Sequence, residues 1–227
     1  MIEFVFLDLD QTILDFHKGE ALSLSQALRD HGLEPTEAVL HRYRDINRWH
    51  WEQLEKGLLT RDQVLLGRFQ VLFQELGITR DPSDCAAAYE YNLSCHADYL
   101  PGAREALEAL HGRYRLYLAS NGTAFVQHRR LKAADLYRFF DDLFISQELG
   151  YNKPAKEFFE AAFARIPGFS RDRAIMVGDT LSSDILGGQN AGLKTVWLTP
   201  TKTTPTPITP TYQLKSLSQL PALLETL

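Results

Sequence analysis

The 227-residue chain is 44% hydrophobic, 23% charged and 11% aromatic, the composition of a globular protein with a sizeable core, which excludes disordered and fibrous classes. Its formal charge of −5 leaves no basic excess for a nucleic-acid polymer or an anionic membrane, while a small anion needs only a few local positive groups. The length exceeds the common domain size of about 100–150 residues but is too short for two full-sized domains, so one domain with an insertion, or two unequal domains, is expected.

The chain opens Met1-Ile2-Glu3 with no basic segment and no small-residue cleavage site, so no secretion signal is read. No run of about 18 apolar residues is present, so no membrane-spanning helix is expected. Two cysteines, Cys85 and Cys95, form neither a CxxC pair nor a dense framework, and read as reduced thiols on helices of a cytoplasmic protein.

The apolar run Phe4 to Leu7 reads as a buried strand of a parallel sheet. Asp8 and Asp10 follow it two residues apart, and a period of two points both carboxylates the same way. Such neighbours repel unless a cation lies between them. Thr12 adds a hydroxyl that can hold the loop or donate to an anion. From Phe16 to Ala97 the pattern is helical throughout, with spans near His17 to His31, Thr36 to Leu58, Thr60 to Leu76 and Ser83 to Leu93. This stretch, residues 16–96, is predicted to be an all-helical insertion in a core of residues 1–15 and 97–227.

After the turn Leu100-Pro101-Gly102, helical periodicity returns at Ala103 to Leu110, and a second apolar run, Leu116 to Ala119, reads as another buried strand. Ser120-Asn121-Gly122 then precedes a helix over Thr123 to Ala134. A hydroxyl and backbone N–H groups at a helix start suit an anion, though S-N-G is also a common turn. A strand is expected at Leu143 to Ile145. Lys153 is followed by Pro154, which fits the first position of a helix running to Ile166 and would hold the lysine at a loop-to-helix junction; a lone lysine is otherwise usually solvated.

Ile175 to Val177 is the third clear buried strand, ending in Gly178-Asp179, with Asp184 at the start of a helix over Ser183 to Ala191. Carboxylate oxygens such as these suit Mg²⁺, which takes one or two carboxylates together with phosphate and water. Thr195 to Leu198 and Tyr212 to Leu214 are further strand candidates, and between them Thr199 to Thr211 holds four of the ten prolines and seven threonines, a composition expected of a solvated loop. Alternating strands and helices define a doubly wound α/β core, and all four polar sites fall where open parallel sheets bind ligands, outside the carboxyl ends of the strands.

Asp8-Leu9-Asp10-Gln11-Thr12, Ser120, Lys153 and Gly178-Asp179 through Asp184 resemble, in order and over nearly the whole chain, the four motifs of haloacid dehalogenase (HAD) superfamily phosphatases. The helical insertion is similar to that superfamily's cap of the first type. Many members carry Gly where this chain has Gln11. The stretches around Ser120-Asn121-Gly122, Gly150 to Pro154 and Val177 to Gly192, with Asp15-Phe16 after the first motif, look most like the pyrimidine 5′-nucleotidase group.

The resemblance implies an Mg²⁺-dependent phosphomonoester hydrolase with Asp8 as nucleophile, Asp10 as general acid and base, and Ser120 and Lys153 binding the phosphoryl oxygens with help from Thr12, Asn121 and Gly122. It implies a metal site made by Asp8, the Asp10 main-chain carbonyl and Asp179, with Asp184 orienting a metal water or Lys153. The implied substrate is a small phosphorylated metabolite, a nucleoside 5′-monophosphate in the first instance, and either a monomer or a dimer is compatible with it. A sugar phosphate or phosphoglycolate phosphatase would keep every catalytic residue. A dehalogenase usually lacks the second aspartate, and a receiver-type phospho-acceptor lacks a helical cap.

In the insertion, Trp49 and Trp51 lie about 200° apart around a helix, so they cannot share one core. One either faces a cleft and stacks on a base, or both serve packing and solvent. Arg42, Arg44 and Arg48 form either a solvated face or a second phosphate site. Phe16, where core and insertion meet, either lines the substrate cleft or packs a hinge.

Overall fold

The computed structural model describes residues 1–199 and 207–227. Its chain divides into two compact units, one of residues 1–16 with 97–227, the other of residues 17–96. In chain order the first unit opens with β1 (Phe4–Leu7) and α1 (Phe16–Asp30) leads into the second, which continues with α2 (Glu37–Glu55), α3 (Arg61–Glu75) and α4 (Ser83–Leu93). The first unit resumes with α5 (Ala103–Leu110), β2 (Arg115–Ser120), α6 (Ala124–Ala133), β3 (Asp142–Ile145), α7 (Ser146–Leu149), α8 (Lys156–Phe163), β4 (Ala174–Gly178), α9 (Leu186–Asn190), β5 (Lys194–Leu198), β6 (Tyr212–Leu214) and α10 (Leu220–Leu224).

Six parallel strands form one sheet in the order β3-β2-β1-β4-β5-β6, a doubly wound α/β layer. Strand alternation sorts its side chains onto two faces. Val5, Leu7, Leu116, Leu118, Ile175, Val177 and Val196 join the apolar face of α5, Leu131 of α6 and Leu220 and Leu224 of α10. Phe4, Phe6, Tyr117, Phe144 and Met176 join Phe158, Phe159, Ala162 and Phe163 of α8. With both faces covered, β1 and the middles of β2 and β4 carry apolar residues at successive positions, which is why they read as continuous runs and not as alternations.

The order reverses between β1 and β4, each wound outward in opposite directions, and this is the place where such sheets open a crevice at their carboxyl edge. Where the chain leaves and re-enters the core, Ile13 to Asp15 runs beside Asp98 to Leu100. Asp15 N–H donates to Asp98 O (2.9 Å), Leu100 N–H donates to Ile13 O (2.9 Å), and Leu14 pairs antiparallel with Tyr99.

In the helical unit the threonines before α2 and α3 cap them: Thr36 Oγ1 accepts from Val39 N–H, and Thr60 with Gln63 makes a reciprocal capping box. Its interior contains a polar string with one member from each helix. Asn47 of α2 donates to Glu20 of α1 (2.7 Å) and accepts from Arg68 of α3 (2.7 Å), and Arg68 is ion-paired with Glu90 of α4. The Arg68 guanidinium also lies 4.9 Å from the Tyr89 ring centroid, so its buried charge is met on several sides. Arg42, Arg44 and Arg48 are paired with Glu75, the buried Glu20 and Asp45 respectively, so each charge is met by a carboxylate. Trp49 is 53% exposed, while Trp51 is half-buried with the Arg61 guanidinium 5.5 Å from its ring centroid.

Some details differ from the sequence expectation. Pro154 does not start a helix: the Lys153–Pro154 peptide is cis and α8 begins at Lys156. The helix expected from Ser183 is a single wide turn, Leu181–Ile185, followed by α9. Cys85 is buried on α4, whereas Cys95 lies exposed in the turn after it. The short α7 and the C-terminal α10 were not anticipated, although Leu217, Leu220 and Leu224 supply an apolar stripe at helical spacing. Most of the expected Pro/Thr-rich loop falls on residues 200–206, outside the described residues. No helix among the described residues is long and apolar enough to cross a membrane.

Candidate active site

Three neighbouring strands deliver polar residues to one edge. Asp8 directly follows β1, its N–H donating to Val177 O of β4 (3.0 Å); Ser120 closes β2; Asp179 follows β4, with its carbonyl tied to Trp197 Nε1 of β5 (2.7 Å). Gln11, between Asp10 and Thr12, holds a left-handed backbone (φ 54°), the conformation that favours the glycine common in related motifs.

Lys153 reaches the same edge from the loop after α7. Asn121 grips its backbone from both sides, donating to Lys153 O (2.9 Å) and accepting from Lys153 N–H (2.8 Å). The Asn121 side-chain amide thus braces the lysine. The Lys153 ammonium, 1% exposed, donates to Asp8 Oδ1 (2.7 Å), Asp184 Oδ1 (2.6 Å) and Ala119 O (2.5 Å), which engages all three of its N–H bonds. Asp184 Oδ2 accepts from Thr180 N–H (3.1 Å), so both oxygens of Asp184 are committed to holding Lys153 and the turn. Gly178 makes this possible, because a Cβ there would lie 2.2 Å from Asp184 Oδ2.

Ser120 Oγ accepts from Gly122 N–H (3.1 Å) and from Gln127 Nε2 (2.9 Å). With both lone pairs engaged, the serine hydroxyl proton is the group left to donate. Gly122 is required for a steric reason that its sequence context did not reveal: a Cβ would sit 2.1 Å from Gln127 Nε2. Thr12 is buried, and its hydroxyl has no hydrogen-bond partner among the described residues, an arrangement suited to donating to an incoming anion. Phe16 begins α1, is half-buried, and belongs with the first unit.

One carboxylate oxygen from each of Asp8, Asp179 and Asp184 lies within 4.8 Å of the others. Burial raises the Asp8 pKa well above the usual carboxylate value; Lys153 opposes this, and Asp184, Asp10 and Asp179 add to it. Asp179 is pushed up to about 7, by burial first and then by the charge of Asp184. Burial acts to lower the Lys153 pKa, but the charges of Asp184 and Asp8 and its bonds to them leave it raised. A donor set of crowded carboxylates with shifted pKa values is one that a hard divalent cation fits, since it removes the repulsion that burial leaves in place. The Asp10 carboxylate stands apart from this cluster.

The sign of these shifts sets a pH dependence. A carboxyl titrating near 7 when folded and near 3.8 when unfolded keeps a proton that the unfolded chain has lost, so the metal-free protein loses stability as pH rises through that window. The melting temperature in chelator should therefore fall from pH 5 to pH 7.5, and Mg²⁺ should raise it more at pH 8 than at pH 5. A Mg²⁺ effect independent of pH would remove these carboxylates from the metal site.

Two residues of the site were not foreseen. Gln127 and Arg130 of α6, each 1% exposed, both bond the Asp10 carboxylate: Gln127 Nε2 donates to Oδ2 (2.8 Å) and Arg130 donates to Oδ1 (2.5 Å). A signal was present, because Val126, Arg130, Leu131 and Ala134 recur at helical spacing and place the arginine on an apolar stripe.

The chain belongs to the haloacid dehalogenase-like hydrolase family, whose model matches residues 2–192. It is 37% identical to YfnB of Bacillus subtilis (strain 168) over 95% of this chain and 92% of that one. A crystal structure of YfnB bound to magnesium superposes with a TM-score of 0.93, at 36% identity and covering 98% of both chains. Pyrimidine 5′-nucleotidase PynA of Streptococcus pneumoniae (strain ATCC BAA-255 / R6) is 36% identical, over 87% of this chain and 84% of its own. Pyrimidine 5′-nucleotidase YjjG of Escherichia coli (strain K12) is 33% identical over 98% and 97%.

Proposed function

We propose that the protein hydrolyses phosphate monoesters through an aspartyl-phosphate on Asp8, and that its substrates are nucleoside 5′-monophosphates, pyrimidine nucleotides first. The observation that carries the chemistry is the Asp8 carboxylate, fixed at the end of β1 by Lys153, with Ser120 closing the neighbouring strand β2. The nucleotide preference rests on the similarity to PynA and YjjG along most of the chain.

Asp8 attacks phosphorus in line, and the bond to the leaving oxygen breaks as that oxygen takes a proton from Asp10. Asp10 then accepts a proton from the water that cleaves the acyl phosphate. Ser120 donates to one equatorial oxygen and Lys153 to another, exchanging its bond to Asp8 for one to the phosphoryl group, and positive charge there offsets the charge that builds in the transition state. Asp184 acts through Lys153, whose ammonium it orients. Asp8, Asp179 and the Asp10 main-chain carbonyl are the groups that would hold Mg²⁺, whose charge there lowers the repulsion between the nucleophile and the phosphate dianion.

A panel of nucleoside 5′-monophosphates and sugar phosphates assayed with Mg²⁺ tests the assignment. The expected result is kcat/KM for pyrimidine nucleotides at least about tenfold above that for any sugar phosphate, a difference in transition-state binding of about 1.4 kcal/mol. Preference for sugar phosphates or phosphoglycolate would replace the substrate class and leave the chemistry standing; absence of turnover on every monoester would remove both.

A further inference from the structure

We propose that Gln127 and Arg130 are positioning residues that fix the Asp10 carboxylate and lock it in register with Ser120. The inference rests on the acid-base role assigned to Asp10 above.

The geometry leaves the Gln127 amide little freedom. Its Nε2 donates to Asp10 Oδ2 (2.8 Å) and to Ser120 Oγ (2.9 Å), and its Oε1 accepts from Arg130 (3.0 Å). Turning the amide over would set its oxygen against the carboxylate and its nitrogen against the guanidinium, so the arginine decides which way the amide faces. Arg130 in turn donates to Asp10 Oδ1 (2.5 Å), and both carboxylate oxygens are thereby held by two side chains one helical turn apart.

Burying a guanidinium and an amide in a core layer is costly unless each polar group is satisfied, and apolar residues would fill the same stripe of α6 more cheaply. Asp10 follows β1, Ser120 closes β2, and α6 is the element that joins their side chains. The consequence is a fixed separation between the group that handles the leaving oxygen and the hydroxyl that handles the phosphoryl oxygens. Reaction rate depends on such registration at the level of tenths of an ångström.

The test uses two leaving groups. An alkyl phosphate such as a nucleoside monophosphate needs a proton on its leaving oxygen, whereas p-nitrophenyl phosphate releases a stabilised phenolate without one. In Arg130→Met, kcat/KM on the best alkyl phosphate should fall by about 10²-fold, and on p-nitrophenyl phosphate by at least about tenfold less. Gln127→Leu should show the same split, Arg130→Lys should recover part of the loss, and Asp10→Asn/Arg130→Met should be no worse than Asp10→Asn. If Arg130→Met does not fold, Arg130→Lys and Gln127→Asn should still show the split at smaller size.

Equal losses on both substrates in the Arg130 and Gln127 variants, while Asp10→Asn separates them, would overturn the positioning role alone. A lack of any split in Asp10→Asn would overturn the acid-base reading and the positioning role with it.

Discussion

Asp8→Asn should leave a folded protein without turnover, with kcat lowered by at least about 10⁴-fold, the scale on which loss of a covalent nucleophile is felt. The amide keeps the shape of the side chain and can still accept from Lys153, but it offers neither an anionic oxygen to attack phosphorus nor a full charge to a metal. It also removes a carboxylate whose pKa burial and the charges of Asp184, Asp10 and Asp179 hold raised, so the metal-free variant should melt no lower than the parent. Circular dichroism and phosphate release from p-nitrophenyl phosphate check both parts. Residual hydrolysis at a tenth of the parent rate would remove Asp8 as the nucleophile.

Lys153→Met combines two losses. The ammonium bonds Asp8, Asp184 and the Ala119 carbonyl inside the core, so its removal leaves two buried carboxylates without their shared counter-charge, a defect worth about 3–5 kcal/mol. For a chain of this size that corresponds to a drop in melting temperature of roughly 6–20 °C. Activity should fall with it, since a donor to the phosphoryl oxygens is gone. Mg²⁺ should restore part of the stability by supplying charge to Asp8, and should restore little of the rate. A variant melting within a degree or two of the parent in chelator would show that Lys153 does not carry the charge balance of the site.

The strands and the residues at their ends were legible because a parallel sheet covered on both faces must spell its strands as apolar runs. A polar residue closing or following such a run is then at the carboxyl edge of the sheet, as Asp8, Ser120 and Asp179 are. Helix starts at Thr36 and Thr60 were legible from capping chemistry. Gln127 and Arg130 were not singled out, because polar residues on a helix ordinarily face water and only the three-dimensional approach of Asp10 makes burial tolerable. Pro154 misled for a related reason: proline suits both a helix start and a turn, and composition does not distinguish them. The contacts of Asn121 with Lys153 and of Gly122 with Gln127 were not legible, because they belong to distant or side-chain geometry that spacing does not encode.

The paired segments Ile13 to Asp15 and Asp98 to Leu100 have a further meaning for how such a protein can change. The core is closed across these two segments by its own main-chain bonds, so whatever is inserted beyond them adds loop length at a point already pinned, and each doubling of that length costs only about 0.6 kcal/mol. The insertion is in effect a cassette with a fixed socket. Residues 17–96 can therefore lengthen or be exchanged at little cost to the closure of the core.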